Sequence, residues 1–491
     1  MKESKHTAPG KHKRKGLMSG VLSRRGIRNT IFIIAIGALA GSQISSPSKR
    51  IIEAIVGIGL IAIIWSFSTF AALSFIILLY PFPFGVSIGS SNFILLIVIF
   101  IIYMIRVSAH VEKIRSDRFF NMAIVLVAFS FILSLYNLTT DPYKLNMAYI
   151  HTTNFFVAII FFYLIINFIN TEARLRTTVK LMLITATVAI VFTIYEMRFP
   201  GTTIIPGWIK TRPRVGLVLT DVRMGGPFLD FELFAEFLAL NVPIIFLVII
   251  RSRRLAVRIL ITILLLADLF MLFTTITRGA FISLTIGLVY LAVISRRDLN
   301  IARFTGIAAT LSFVMMIMNY IVANYTISGS LFKRLFKTTF SRSLIPDTRY
   351  DAWHNAWARA MQHPIIGHAP GWEFSRGLTT EYWPHNVYLY ILNITGFFGL
   401  FAFLFLLYKL FRASLPGIKS SLVSSPFPEA LMKVLHVCLV MFIIDQVKIE
   451  YLRNINYVYF VWLIFGLIAA TRNIILDKDR GTGPGPLPRL R

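Results

Sequence analysis

The sequence is poor in charged residues, and in acidic residues most of all. Asp and Glu number 22 among 491 residues, and all charged residues together make up 15%, against roughly 25% in an ordinary soluble domain. Hydrophobic residues make up 56%, and the mean hydropathy is +0.72. This composition excludes a soluble enzyme, a disordered chain and a collagen-like chain. It leaves a polytopic helical membrane protein.

Cysteine and several catalytic motifs are also missing. Cys438 is the only cysteine in the sequence, so a disulfide within the chain is excluded. The sequence contains no phosphate-binding G-x-x-x-x-G-K-[ST], no H-E-x-x-H and no C-x-x-C. These absences argue against nucleotide hydrolysis and zinc proteolysis.

What the sequence has in abundance is long apolar runs. A helix that crosses a bilayer needs roughly 20 mostly apolar residues, so the runs predict an all-α, polytopic transmembrane helix bundle of about 12–14 spans. The predicted spans are 30–46, 50–65, 67–81, 91–106, 119–137, 150–169, 180–196, 231–250, 258–275, 279–295, 304–324, 386–411, 431–446 and 456–471.

The net charge of +28 is explained first by the enrichment of Lys and Arg in cytoplasmic loops, so no nucleic-acid partner is expected. With the N-terminus inside, 32 of the 50 basic residues fall in inside segments. Twelve of the other 18 fall in two long outside loops, 197–230 and 325–385. These two loops break the charge rule and need a functional reason.

This orientation divides the chain into seven regions with both termini in the cytoplasm. They are a basic tail (1–29), an N-terminal transmembrane region (30–196), a periplasmic loop (197–230), a transmembrane region with a turn at Arg278 (231–324), a large helical periplasmic loop (325–385), a C-terminal transmembrane region (386–471) and a cytoplasmic tail (472–491).

The first long loop offers an anion site. Arg212, Arg214 and Arg223 precede a Gly-Pro break and the start of a span, and helix N-termini with nearby arginines bind phosphate groups. The same arginines could instead contact lipid headgroups. Glu232 and Glu236 follow on one helix face, where they either pair with an arginine or take part in proton transfer.

Arg278 lies in a tight outside turn between two strongly apolar spans, followed by Gly279. Membrane insertion disfavours arginine at depth. We therefore expect Arg278 to contact a phosphate of a ligand, with a helix-end arginine that reaches the interface as the alternative.

The second long loop contains a predicted amphipathic helix with Asp347 as its N-cap. Its apolar positions are Tyr350, Trp353, Trp357, Ala360 and Met361. His385 follows Pro384 at the membrane entrance, where a neutral imidazole could take a proton from an attacking hydroxyl, or could serve as a structural hydrogen-bonding group. A metal site built from His354, His363, His368 and His385 with Asp351, Glu373 or Glu381 matches no standard ligand spacing, so neither a metal nor another cofactor is expected.

An ordered series of motifs resembles a known family. It runs Arg-Pro-Arg-Val-Gly (212–216), Gly-Pro-Phe-x-x-x-Glu-Leu-Phe-Ala (226–235), Thr-Arg-Gly-Ala (277–280), Thr-Arg-Tyr-Asp-Ala-Trp-x-x-Ala-Trp (348–357), His-Pro-Ile-Ile-Gly (363–367) and Pro-His-Asn-x-Tyr-Leu-x-x-Leu-x-x-x-Gly-x-x-Gly-Leu (384–400). In this order the series is similar to the O-antigen ligase/O-antigen polymerase superfamily of membrane glycosyltransferases.

The resemblance implies a reaction and a set of partners. The donor would be a glycan on undecaprenyl pyrophosphate, and the acceptor either lipid A core or another lipid-linked glycan, in metal-independent glycosyl transfer at the periplasmic face of the bacterial inner membrane. By position, Arg214, Arg278 and Arg349 match the family arginines that hold the pyrophosphate, and His385 matches the histidine that assists the acceptor. The stretch 226–232 departs from the Asn-rich stretch of many members, which affects the acceptor more than the donor chemistry.

Two other functions fit parts of the sequence. A transporter or flippase of lipid-linked sugars or other anions would use the same arginines along a substrate path, but it predicts repeat symmetry that the sequence lacks. A membrane scaffold with a cationic tail is the third hypothesis.

Overall fold

The computed structural model describes residues 68–82, 85–86, 89–115, 117–138, 142–199, 214–215, 222–296, 301–325, 330–335, 347–370 and 384–480. The helices of this part are α1 (Thr69–Leu79), α2 (Ser91–Ser108), α3 (Arg118–Ser134), α4 (Pro142–Phe168), α5 (Glu172–Arg198), α6 (Phe231–Arg251), α7 (Leu255–Thr274), α8 (Arg278–Ile294), α9 (Ile301–Tyr325), α10 (Leu331–Leu335), α11 (Asp347–Ala360), α12 (Val387–Ser414), α13 (Phe427–Asp445) and α14 (Ile455–Asp479). The basic tail 1–29 and the first two predicted spans lie outside the described residues.

The described part confirms the all-α polytopic bundle. Eight of its helices are long and apolar enough to cross a membrane, and four shorter apolar helices accompany them. Extended structure is confined, in this part, to two short antiparallel pairs: β1 (Gly85–Val86) with β2 (Gly89–Ser90), and β3 (Arg214–Val215) with β4 (Val222–Arg223).

Several helices extend beyond the apolar runs that predicted them. The run 180–196 predicts a span, whereas α5 starts at Glu172, because Thr171 caps it by accepting a hydrogen bond from the Arg174 amide. Arg176 and Glu172 pair across the first turn of α5 with 2.6 Å between Nη2 and Oε1, an i, i+4 contact that favours helix. A search for apolar runs does not detect the polar first turn of a helix at a membrane surface.

The centre of the bundle is formed by α6, α13 and α14. In each of these helices 78% of the most apolar 18-residue window is buried inside the protein, against 28% in α7. Helix α6 packs against α7, α8 and α13, while α14 packs against α4 and α13. The residues that begin α6, end α13 and precede α14 are therefore held by the most buried of the membrane-length apolar helices in the described part.

The connecting segments sort into two groups at opposite ends of the helices. At one end, which we term the basic end, Arg115 pairs with Asp477 at 3.0 Å, and Arg251 donates to the carbonyl of Leu422. These contacts join the loops 106–118, 251–258 and 409–433 and the C-terminal part of α14, all of which the charge count predicts to be inside. At the other end, the site end, residues 223–230, 275–278, 384–386 and 445–454 meet.

The loop helix α11 packs on α12 through a face that the sequence did not predict. Its buried residues are Ala352, Ala356 and Ala360, whereas Tyr350 and Trp357 are exposed. Alanines at i, i+4 and i+8 let the two helix backbones approach closely, and Asn393 on α12 donates to the Ala356 carbonyl. Of the predicted apolar positions, Ala360 thus lies in the buried face, whereas Tyr350 and Trp357 do not. The helix begins at Asp347, and the role of the Asp347 side chain as N-cap stays a prediction.

After α11 the chain forms backbone hydrogen bonds with a break in α12, and we term this attachment the lock. Gly396 has φ +67° inside α12, and the carbonyls of Pro364 and Ile365 accept hydrogen bonds from the Phe397 and Phe398 amides. A Cβ on Gly396 would overlap the Ile365 carbonyl. The two glycine-containing motifs of the sequence thus meet backbone to backbone, and they fix α11 relative to α12.

Candidate functional site

Charged side chains at the site end gather around the start of α6. Asp230 is the N-cap of α6, and its Oδ1 accepts from the backbone amides of Glu232 and Leu233 at 2.9 and 3.2 Å. Glu232, in the first turn, has only 13% of its side chain exposed. A carboxylate at a helix N-terminus is stabilised by the helix dipole, so the fold supports negative charge at this point.

Two arginines from distant segments bind the Glu232 carboxylate. Arg349 on α11 places Nη2 2.9 Å from Oε1, and Arg453, in the 3-10 turn Tyr451–Arg453, places Nη2 2.9 Å from Oε2. The same nitrogen of Arg453 lies 2.9 Å from Asp230 Oδ1. Arg349 is 26% exposed and Arg453 13%, so Arg349 is the more accessible of the two.

His385 completes this cluster. Its Nδ1 lies 3.3 Å from Arg453 Nη1 and 3.6 Å from Glu232 Oε2, and 36% of its side chain is exposed. The backbone on either side is fixed: the Trp353 indole donates to the Pro384 carbonyl at 2.8 Å, and Asn386 caps α12. His385 itself has φ +44°, an uncommon conformation for a residue other than glycine, which is typical of functional sites.

A second group of cations lies beside the N-terminus of α8. Lys448 follows α13 and is half-buried. Burial lowers the pKa of Lys448 from its ordinary value, as do the charges of Arg349 and Arg278, whereas Asp445 opposes the shift. Three cations within electrostatic reach of one another repel, and a polyvalent anion between them would relieve that repulsion.

Arg223 has a supporting position next to this group. Its Nε donates to the Thr275 carbonyl at 3.0 Å, its Nη2 donates to the Ile276 carbonyl at 3.2 Å, and the guanidinium lies 3.4 Å over the Phe231 ring. Arg223 is 7% exposed. It therefore holds the turn between α7 and α8 that presents Arg278.

The remaining predicted site residues fall around these groups. The backbone of Arg214 pairs with Arg223 in the β3–β4 register, while the side chains of Arg214 and Asp347, and Arg212 entirely, lie outside the described residues. Glu236 lies one turn below Glu232, 1% exposed, and both of its oxygens accept from the Gln446 amide at 2.9 and 3.0 Å. The fold thus brings Arg278, Arg349, Glu232 and His385 to one place, with Arg223 and Glu236 beneath them.

The other loop histidines do not join His385. His363 and His368 pack edge to face with 4.5 Å between ring centroids, and His368 Nε2 lies 2.8 Å from the Arg359 carbonyl at the end of α11. Burial lowers the pKa of His368 below its ordinary value. These histidines belong to the lock on α12 and not to the charged cluster.

The sequence argument missed the connection between α13 and α14. Residues 446–454 supply Lys448, Arg453 and the Gln446 amide to the site. One signal was available: Lys448, Glu450 and Arg453 stand within six residues between two long apolar runs, a high charge density for a short outside loop. The contact of this loop with Glu232, more than 200 residues earlier in the chain, has no sequence signal.

The assembled site can do two kinds of chemistry. Arg278, Arg349 and Lys448 can bind a polyvalent anion and stabilise negative charge that develops on it. His385, beside a carboxylate and partly exposed, can accept or donate a proton.

Comparison with known protein families matches a part of the chain that contributes to this site. No curated protein matches the chain. The O-antigen ligase family matches residues 263–404, a stretch that contains Arg278, Arg349 and His385 but not Glu232, Lys448 or Arg453. This match agrees with the motif series and with the apolar helices, and it indicates a multi-pass membrane enzyme of the O-antigen ligase type. The match at residues 263–404 is consistent with the O-antigen ligase/polymerase superfamily.

Proposed function

We propose that the site end transfers a glycan from undecaprenyl pyrophosphate to a lipid A core or to a lipid-linked glycan, at the periplasmic face of the inner membrane. The observation that carries this proposal is the convergence of Arg278, Arg349 and Lys448 with His385 at one end of an apolar helix bundle. A ligand anchored in the membrane by its lipid would present its diphosphate at this depth.

The cations act on the leaving group. As the bond between the sugar C1 and the phosphate oxygen breaks, its electron pair stays with that oxygen and negative charge grows on the diphosphate. Preorganised donors stabilise such charge most strongly in a water-poor pocket, and removal of one typically costs about 10²–10³-fold in rate. Arg278 at the start of α8 also adds the dipole of that helix. Arg223 acts indirectly by holding the Arg278 turn.

His385 acts on the acceptor. Its imidazole takes the proton of the attacking hydroxyl while the hydroxyl oxygen forms a new bond to C1, and Glu232 stabilises the imidazolium that results. The imidazolium then loses its proton to water or to the departing diphosphate, which restores the neutral ring. Every step uses groups of the chain and of the two substrates, in agreement with the proposal of a metal-independent reaction.

The test is transfer by purified protein in detergent with a lipid-linked oligosaccharide and an acceptor. We expect Arg278→Ala and His385→Ala each to reduce transfer by about 10²-fold or more while the proteins still insert and purify. The matched controls are Arg254→Ala at the basic end and His354→Ala on the exposed side of α11, which should retain transfer.

Detergent also separates the enzyme from a flippase. A flippase moves its substrate across a bilayer and forms no new glycosidic bond, so it would give no product in micelles. Near-normal product from both site variants, or product that disappears with a chelator and returns with a divalent metal, would contradict the proposed mechanism.

A further inference from the structure

Arg453 stands at the centre of the charged cluster, but it differs from the other cations in what it contacts. Its Nη2 reaches both Asp230 and Glu232 at 2.9 Å, and its Nη1 reaches His385 Nδ1 at 3.3 Å. Burial of the guanidinium opposes its charge, yet the two carboxylates outweigh that effect and raise the pKa of Arg453 above its ordinary value. Two carboxylates already neutralise this cation, so it is poorly suited to bind a diphosphate.

The Nδ1 atom of His385 lies between two groups that favour different tautomers of the imidazole. A guanidinium nitrogen only donates, so Arg453 favours the neutral tautomer in which Nδ1 accepts and Nε2 carries the proton. An ionised Glu232 only accepts, so it favours the tautomer with the proton on Nδ1. Nδ1 lies closer to Arg453, at 3.3 Å, than to Glu232, at 3.6 Å, and this arrangement favours the hydrogen bond from Arg453.

Only the tautomer with its proton on Nδ1 can accept a proton at Nε2. With Nδ1 bound to Arg453, Nε2 holds a proton and cannot take another from a hydroxyl. With Nδ1–H directed to Glu232, Nε2 presents a lone pair. A change of a few tenths of an ångström at Nδ1 separates the two arrangements.

The Glu232 carboxylate also binds Arg349, the more accessible of its two arginines. Arg349 occupies Oε1 and Arg453 occupies Oε2 of the same carboxylate. A diphosphate that draws Arg349 away leaves Glu232 with one cation in place of two, and the carboxylate then attracts a proton on Nδ1 more strongly. Asp230, which contacts the same Nη2 of Arg453 as Glu232 does, keeps that arginine in place.

We propose that Arg453 is a positioning residue that holds His385 in its Nε2–H tautomer when no ligand is bound. When a diphosphate binds Arg349, Glu232 is released to accept a hydrogen bond from Nδ1–H, and His385 becomes a base at Nε2. The tautomers exchange one proton through solvent, and the charge of His385 is unchanged by the switch. The inference rests on the proposed function of His385.

The experiment is nitrogen NMR of full-length protein labelled with ¹⁵N-histidine, at a pH where the imidazole is neutral, with the His385 signals assigned by their loss in His385→Asn. We expect the wild-type protein to show a protonated Nε2 at rest and a protonated Nδ1 after addition of inorganic pyrophosphate. Arg453→Lys keeps a positive charge but removes the second guanidinium nitrogen, and it should show the Nδ1–H form without pyrophosphate. Glu232→Gln should stay in the Nε2–H form at every pyrophosphate concentration.

Kinetics supply the second readout. Glu232→Gln should lower kcat by about 10–100-fold, the usual effect of removing an orienting partner, with a smaller change in KM for the donor than Arg278→Ala gives. A wild-type His385 that carries its proton on Nδ1 at rest, or that does not respond to pyrophosphate, would overturn the inference while leaving the proposed function intact if His385→Ala is inactive. Normal transfer by His385→Ala would instead remove the proposed function, and the inference with it.

Discussion

At the scale of single residues, the cationic side chains of the site differ in their exposure. Arg223 is buried, Arg453 is only 13% exposed, and both are bonded to protein groups, whereas Arg349 is 26% exposed and Lys448 is half-buried beside Arg278. A buried arginine with protein partners fixes geometry, because breaking its ion pair leaves an uncompensated charge. The accessible cations can exchange their partners for a ligand. The distinction separates positioning residues from binding residues among side chains that look alike in the sequence.

Lys448 should give donor binding an alkaline limit. Its pKa is lowered by burial and by Arg349 and Arg278, so it loses its proton at a lower pH than an ordinary lysine, and above that pH one of the three cations is gone. We expect KM for the donor to rise with pH already below the range in which an ordinary lysine loses its proton. In Lys448→Arg the guanidinium stays charged throughout, so the rise should be absent. Identical pH profiles for the two proteins would exclude Lys448 from the donor site.

At the scale of elements, the distance between Arg349 and His385 depends on how α11 is attached to α12. The alanine face of α11, the Asn393 hydrogen bond and the loop that inserts at Gly396 fix this attachment. Asn137, after α3, also donates to the Gly367 carbonyl at 2.7 Å. Gly367 and Gly396 thus affect the geometry of the site without contacting it.

Gly396→Ala should therefore lower both stability and transfer. A Cβ would overlap the Ile365 carbonyl, and alanine at φ +67° is strained, at a cost of at least about 1–3 kcal/mol in the free energy of unfolding. The thermal midpoint in detergent and the transfer rate measure the two effects. Leu404→Ala, on the exposed side of the same helix, is the control and should change both far less. Unchanged transfer in Gly396→Ala would show that the lock does not set the site geometry.

At the scale of the whole molecule, the charge count and the contacts divide the connecting segments in the same way. Arg115, Arg251 and Asp477 meet other loops at the basic end, while Arg278, Arg349 and Arg453 meet at the site end. Cytoplasmic loops collect Lys and Arg. We therefore expect the basic end in the cytoplasm and the site end in the periplasm.

Cysteine labelling tests this orientation, and the chain is well suited to it because Cys438 is its single, buried cysteine. In a Cys438→Ser background, Asn355→Cys on α11 should react with a membrane-impermeant maleimide from outside, and Ser424→Cys at the basic end should not; both positions are exposed in the fold. Reaction of both sites after cell lysis is the control. Outside labelling at residue 424 but not at 355 would invert the proposed topology.

The sequence by itself determined the helical membrane class, most helix positions, and the presence of Arg278, Arg349, Glu232 and His385 among the candidates, because hydropathy and motif order are local properties of the chain. The binding and catalytic roles of these residues stay predictions, as do those of Arg212, Arg214 and Asp347. Only the tertiary structure decided that Arg223 holds a turn, that α11 buries its alanines, and that Lys448 and Arg453 join the site. Those outcomes depend on which segments meet, and contacts between residues 200 positions apart are set by the packing of α6, α13 and α14, which no local pattern records.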